Sequence, residues 1–325
     1  MRIAVTGSIA TDHLMVFPGK FSEQFVVDQL DKVSLSFLVD QLEVRRGGVA
    51  ANICFGLGSL GMNPILVGAV GADFDEYRAW LERHGVDTKS VHVSRTKHTS
   101  RFLCTTDQVQ AQIATFYAGA MEEARDIELR PIADRVGGLD LVIVAPNDPL
   151  AMVRHTEECR ALGIPFAADP SQQLARMEGP EIRTLVEGAA YLFTNEYETS
   201  LLLKETGWSE SEVLDRVGYW VKTYGPEGVR IESKDTEPLV VPAVKVIDEV
   251  DPTGVGDAFR AGFLWGLHAK LSLERSAQVG CTLAAIVLET VGTQEYTLDR
   301  AEFSKRVAVT YGGDAAAEIE SKLRV

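Results

Sequence analysis

The chain is expected to fold as an α/β protein, a three-layer α/β/α sandwich around a mostly parallel sheet, with a small β-sheet serving as a lid. Three observations carry that expectation. After residue 120, short β-branched runs alternate with amphipathic helical stretches, the rhythm of βαβ units. Before it, apolar and mixed residues alternate in the manner of an exposed small antiparallel sheet. A length of 325 residues with 46% apolar content can bury one large core and leave room for a smaller unit.

Met1 to Gly7 enters directly on a strand-like apolar run. Residues about 14–46 and 90–118 read as the small sheet, clearest at Arg101–Thr105 and Gln112–Tyr117. They bracket a helix over Val49–Leu60, a strand over Ile65–Val70 and a helix over Phe74–His84. Leu141–Ala145 reads as a buried strand, followed by a helix over Asp148–Leu162 and a strand over Phe166–Asp169. A helix near Pro180–Gly188 then leads to a strand over Tyr191–Thr194. Trp220–Thr223, Val229–Glu232 and Leu239–Val241, parted by Gly, Pro and Asp, suit a terminal antiparallel meander. Two small-residue helices over about 255–268 and 272–289 close the fold. With no repeat, low-complexity tract or linker, residues 1–325 form one unit with a discontinuous lid able to exclude water from a site.

A net charge of −15 and a pI near 4.9 argue against a nucleic-acid surface or an anionic-membrane surface. The four cysteines (54, 104, 159 and 281) have no Cys-x-x-Cys spacing, which argues against zinc or a disulfide framework and suits reduced thiols. The N-terminus lacks a signal-peptide pattern, and no run approaches the ~18 apolar residues of a membrane span. The expectation is a cytoplasmic protein.

The most informative stretch is Asp251-Pro252-Thr253-Gly254-Val255-Gly256-Asp257-Ala258-Phe259. A glycine-punctuated turn running into a helix stacks backbone N–H groups around one point, and the helix N-terminus adds positive potential there. Charge building on a transferring phosphoryl group is stabilised by that arrangement, so Gly254, Val255, Gly256 and Asp257 form a candidate anion hole. A carboxylate beside it is useful when it takes a proton, which makes Asp257 a candidate general base; helix capping is the competing explanation.

Other patterns are weaker alone. Arg46-Gly47-Gly48-Val49-Ala50-Ala51-Asn52 would bring backbone close to a ligand and present the Asn52 amide to sugar hydroxyls. Asn195-x-x-Glu198 has capping-box spacing, yet also sets an amide and a carboxylate at a strand end, where a hydrated Mg²⁺ or a phosphate would fit. Thr223-Tyr224-Gly225-Pro226-Glu227-Gly228 reads as a turn whose glycines also permit approach to a nucleotide. Gly56-Leu57-Gly58-Ser59-Leu60-Gly61 matches a dinucleotide fingerprint, but lies in and after a helix rather than between strand and helix. No P-loop pattern is present.

These pieces, in this order and over nearly the whole chain, resemble the PfkB, or ribokinase-like, family of carbohydrate and nucleoside kinases. Within it the segments Met1–Leu14, Val33–Val39, Arg46–Asn52, Phe166–Arg176 and 251–266 are similar to the mycobacterial-type bacterial adenosine kinases. The signature core departs from the family by one residue, Gly-Val-Gly-Asp in place of Gly-Ala-Gly-Asp. The resemblance implies a ribokinase-like sandwich that transfers the ATP γ-phosphoryl group to the 5′-hydroxyl of adenosine in purine salvage, with Asp257 as base. It further implies that Asp12 binds the ribose hydroxyls with Ser8, Ser36, Gly48 and Asn52. Phe102 and Phe116 would flank the adenine, with Gln172, Gln173 and Arg176 close by. Asn195, Thr223, Gly225, Gly228 and Gly256, and the chain around Gly292–Thr293, would border the nucleotide. Mg²⁺ would sit, through water, near Asn195 and Glu198, and a monovalent cation such as K⁺ near Asp251 and Thr253. A homodimer is expected through the lid, by an exposed sheet edge near Phe37. Another nucleoside or sugar kinase is the alternative within the family. A non-catalytic nucleoside binder and a nicotinamide-dependent dehydrogenase are the alternatives outside that chemistry.

Overall fold

A computed structural model describes residues 1–25, 35–234 and 236–323. From the N-terminus come β1 (Ile3–Thr6), β2 (Ala10–Val16), β3 (Gln41–Gly47), helix α1 (Val49–Ser59), β4 (Ile65–Val67) and β5 (Ala69–Val70). Helix α2 (Asp75–Arg83), β6 (His92–Val93), β7 (Ser100–Thr106) and β8 (Gln112–Tyr117) follow. The alternating half comprises α3 (Leu129–Val136), β9 (Leu141–Val144), α4 (Pro149–Leu162), β10 (Phe166–Ala168), α5 (Gly179–Val186) and β11 (Tyr191–Asn195). It continues with α6 (Glu196–Thr206), α7 (Glu210–Leu214), β12 (Tyr219–Thr223), β13 (Val229–Ser233) and β14 (Thr236–Val241). Helices α8 (Val255–His268), α9 (Leu273–Leu288), α10 (Arg300–Tyr311) and α11 (Gly313–Glu320) complete it.

The main sheet runs β14-β13-β12-β11-β10-β9-β1-β4. Pairings from β4 through β12 are parallel, and β13 and β14 add the antiparallel end. Strands β1, β9 and β10 are buried at every residue, which is why they read as unbroken apolar runs rather than alternating ones. Two large apolar clusters lie on the two faces of this sheet: Val5 and Ile143 belong to one, Ala4 and Val142 to the other.

The chain leaves β1 for β4 on one side and later resumes at β9 on the other. Strand order therefore reverses between β1 and β9, and the crevice at their carboxyl ends is where open α/β sheets bind ligands. Ser8 N–H donates to the Pro146 carbonyl across that crevice at 2.8 Å.

The small sheet has the order β3-β2-β7-β8. Its outer pairings are antiparallel, whereas β2 and β7 run parallel. The sequence suggested an antiparallel sheet. The parallel pair arises because β2 and β7 are joined by a long excursion through the main domain rather than by a hairpin. Register places Asp12 beside Phe102 and Phe102 beside Phe116, so all three share one face. Of the segment Val33–Val39, Val33 and Ser34 lie outside the described residues. Phe37 is not in a strand; its ring packs 5.1 Å from Phe17 and 5.0 Å from Phe21. The edges of this sheet are β3 and β8 instead.

Helices α8 and α9 meet through small residues. A Cβ on Gly262 would lie 2.7 Å from Gly280 Cα, and one on Gly280 would lie 2.7 Å from the Phe259 carbonyl. The two backbones touch, which fixes α8 against the core. The glycine string 56–61 occupies the end of α1 and the turn before β4, so the dinucleotide fingerprint fails on order, as its sequence position indicated.

Candidate active site

The first turn of α8 projects into the crevice. Gly254 caps the helix with φ 77°, in the left-handed region, and no side chain satisfies the cap. The N–H groups of Val255, Gly256 and Asp257 belong to the first turn, where an α-helix has no internal acceptors; that of Val255 makes a long contact of 3.4 Å with the Pro252 carbonyl. Asp257 lies within the helix rather than at the cap, so its carboxylate is not used for capping. Its Oδ2 instead accepts 2.8 Å from Asn52 Nδ2.

Asn52 is itself held. Its Oδ1 accepts from Gln294 Nε2 at 2.8 Å and lies 3.0 Å from Thr293 Oγ1, whose one proton is shared with the Arg46 carbonyl at 3.0 Å. Gln294 Nε2 also reaches the Tyr77 hydroxyl oxygen at 2.6 Å, and that hydroxyl donates to the Gly47 carbonyl at 2.9 Å. This chain orients the amide so that N–H, not C=O, faces Asp257. Burial pushes the Asp257 carboxyl up to about 6, against the lowering pull of Arg260 and the Asn52 hydrogen bond. A carboxylate tuned to that value accepts a proton more readily than an ordinary Asp.

Beneath lies a buried ion pair, Arg260 Nη2 donating to Asp169 Oδ1 at 2.5 Å. Burial holds the Asp169 carboxyl up, to about 7, against the lowering effect of Arg260.

A cavity of about 470 Å³ opens in front of Asp257. The small sheet contributes Asp12, Phe102 and Phe116 to its wall. The crevice contributes Ser8, Gly48, Asn52 and Pro146, and the segment after β10 contributes Gln172, Gln173 and Arg176. Gly48 has φ 94°, and a Cβ there would lie 2.6 Å from both the Ser8 carbonyl oxygen and the Ala10 nitrogen, so only glycine permits this close approach. Burial, with Asp251 and Glu295 nearby, moves Asp12 up to about 6, although Arg45 opposes it. Gln173 Nε2 donates to the Asn147 carbonyl at 2.9 Å, and its buried Oε1 has no donor among the described residues.

At the ends of β11 and β12, Asn195 and Thr223 are register partners. Asn195 and Glu198 form the capping box that their spacing suggested, with both bonds at 2.8 Å. Glu198 is buried, and its charge acts on both Asp257 and Asp169. Its Oε1 accepts from Ser171 Oγ at 3.1 Å, but that hydroxyl has one proton and its Oγ lies closer, at 2.7 Å, to Gln172 Oε1. A carboxylate oxygen so weakly satisfied fits a hydrated Mg²⁺, which binds through one or two carboxylates plus phosphate oxygens. Gly225 (φ 53°) and Gly228 (φ 98°) flank the turn after β12.

The structure thus gathers Ser8, Asp12, Gly48, Asn52, Phe102, Phe116, Gln172, Gln173, Arg176, Gly254 and Asp257 around one cavity. Val255 and Gly256 follow in the α8 turn. Ser36 is exposed, outside any strand and outside the cavity wall. Several contributors were not identified from sequence: Tyr77 and Gln294, which hold Asn52; Arg260, which pairs with Asp169; and Met121, which lines the cavity. For Arg260 a signal existed, since it lies one helical turn beyond Asp257 on the same face.

An anion-binding helix start with a poised carboxylate, set in the switch-point crevice of a mostly parallel sheet, defines a phosphotransferase site. Residues 8–300 match the model of the pfkB family of carbohydrate kinases, and the chain belongs to that family. It is an ATP-dependent kinase. A nucleoside kinase of Methanothermobacter thermautotrophicus is 31% identical over 289 residues, covering 88% of this chain and 92% of that protein. The nucleoside kinase of Burkholderia thailandensis in complex with inosine superposes with a TM-score of 0.82 at 33% identity, covering 95% of this chain and 98% of the other. The same enzyme in complex with ADP-inosine gives a TM-score of 0.80 at 34% identity, covering 95% and 96%.

Proposed function

We propose that this protein transfers the γ-phosphoryl group of ATP to the 5′-hydroxyl of a purine nucleoside, adenosine first among them, in purine salvage. The observation that carries the reading is one cavity lined by two carboxylates, Asp12 from the small sheet and Asp257 from the first turn of α8. Asp12, in one row with Phe102 and then Phe116 across the small sheet, suits a ribose joined to an aromatic base, while Asp257 and the α8 turn suit the reacting hydroxyl and phosphate. A carboxylate accepts two vicinal hydroxyl protons, and the Phe rings offer faces to a purine. Gln172 and Gln173 line the same cavity and suit polar contact with the base edge. Inosine is the second reading, favoured by the inosine complex of the Burkholderia relative.

In this mechanism the small sheet acts as a lid over the acceptor and excludes water. Asn52 aligns the Asp257 carboxylate, which takes the proton of the attacking hydroxyl. The N–H groups of Gly254 to Asp257 face the charge that develops on the transferring group. Asn195, Thr223 and the 225–228 turn border the nucleotide. Asn195 and Glu198 would hold a hydrated Mg²⁺, which when bound neutralises phosphate charge. We also place the homodimer contact on the small sheet, whose outward face bears Leu42, Val44, Ile113 and Tyr117, all exposed, and the protein in the cytoplasm.

The reading is tested by ADP release with adenosine, inosine, guanosine, ribose and fructose in parallel. Turnover strongest with adenosine supports it; inosine leading moves the assignment to the second reading; turnover with sugars alone discards the roles of Phe102, Phe116 and Gln173. A second expected result concerns pH. With Asp257 held near 6, kcat/KM rises with pH and levels off above about pH 6, as the base loses its proton. Asn52→Leu removes a bond that stabilises the anion, so the acid limb moves to higher pH. An unmoved limb in that variant separates Asp257 from the titration.

A further inference from the structure

The resemblance of the sequence implies a monovalent cation beside Asp251 and Thr253, at the start of the turn that leads to the anion hole. The donors found there do not suit one. Asp251 Oδ1 accepts from Thr253 N–H at 2.9 Å, and Oδ2 accepts from Gly292 N–H at 3.0 Å and from Arg45 Nη1 at 3.2 Å. Three N–H groups converge on the carboxylate that a cation would need, and one carries a full positive charge. A second cation brought to the same oxygens would meet the guanidinium at close range and be repelled.

Arg45 is built into this position. Glu43 grips its other edge through Nε and Nη2 at 2.7 and 2.8 Å. The Arg45 and Asp251 side chains are 18% and 15% exposed, respectively, so solvent and salt screen their attraction less than that of a surface pair. Gly292 N–H shares the same carboxylate oxygen, and Thr293, one residue on, orients Asn52. The Arg45–Asp251 contact therefore stands at the root of both strands of backbone that hold Asp257.

We propose that Arg45 is the resident cation of this site, a positioning residue that fixes the turn from Asp251 to Gly254 and makes the enzyme independent of monovalent cations. The inference rests on the kinase reading of the α8 turn, but not on which nucleoside is the acceptor. It also assigns a consequence to the fold. Arg45 belongs to β3 and pairs in register with Asp12 of β2, so the positive charge arrives from the small sheet. Seating that sheet over the acceptor and completing the anion turn become one event.

The test uses the full-length protein in buffers of equal ionic strength, containing either KCl or tetramethylammonium chloride, with thermal melting and turnover as readouts. For the native protein, Tm is expected to shift by less than about 1 °C between the buffers and turnover by less than about twofold, since no site binds K⁺. For Arg45→Met, turnover without K⁺ is expected to fall by about 100-fold. K⁺ should restore about tenfold of that loss and raise Tm, because the vacated Asp251 carboxylate then binds the ion. A native enzyme whose turnover or Tm rises with K⁺ overturns the proposal. So does Arg45→Met with normal turnover, or with a loss that K⁺ does not recover. If that variant does not fold, the native protein alone decides the question. The melting readout needs no substrate, so a wrong acceptor assignment leaves it intact.

Discussion

Asp257→Asn is expected to lower kcat by about 10³-fold, within the range that general-base catalysis contributes, while ADP binds with unchanged affinity. The substitution preserves shape, and the Asn oxygen can still accept from Asn52 Nδ2, which lies 2.8 Å from Asp257 Oδ2. What disappears is the ability to take a proton. The N–H groups of the α8 turn remain in place, so binding of the nucleotide phosphates persists. Calorimetric titration with ADP and a steady-state assay separate the two effects. Turnover within about tenfold of the native enzyme would remove Asp257 from the role of base and leave the helix start alone to explain the rate.

The largest effect on stability is expected from Arg260→Leu. Asp169 is fully buried and its cation is Arg260, at 2.5 Å. Removing one partner of a buried pair leaves an uncompensated charge and costs about 3–5 kcal/mol. The pH dependence has a definite sign. Burial holds the Asp169 carboxyl at about 7 in the native protein, above its ordinary unfolded value near ~3.9. A raised carboxyl favours the protonated fold, so its contribution is fully present in acid and is lost as pH rises through 7. Without Arg260 the value moves higher still and the loss extends further. The variant should therefore be more destabilised, relative to the native protein, at pH 8 than at pH 5 in urea unfolding. Equal losses at both would show that packing, not charge, governs this pair. Adding Asp169→Leu should recover much of the stability, because no buried charge then remains.

The large sheet was legible because its strands are buried on both faces and show as apolar runs, as in Leu141–Val144. The α8 turn was legible because its glycines and Asp257 are contiguous. The small sheet was harder. Its inner strand begins at Ala10, earlier than the alternation indicated, and its parallel β2–β7 pairing joins segments separated by most of the N-terminal half. The supports of the site were the least visible. Gln294 reaches Asn52 and Tyr77 across more than 200 positions of sequence, and a lone Gln in a loop carries no local mark of that role. Arg45 shows its meaning only when the register of β2 and β3 is known. Sequence exposes groups that act within one element; it conceals those that act by meeting.

The backbone contact of α8 with α9 bears on how this enzyme can change. With Gly262 and Gly280 in direct apposition, no larger residue enters either position without displacing the helix that carries Asp257. The rings that line the cavity ride on a different sheet, where Phe102 and Phe116 are neighbours on adjoining strands. Mutations that retune acceptor choice can thus accumulate on one body while the transfer chemistry stays locked in the other. New specificities are reached by repainting the cover, with the anvil left untouched.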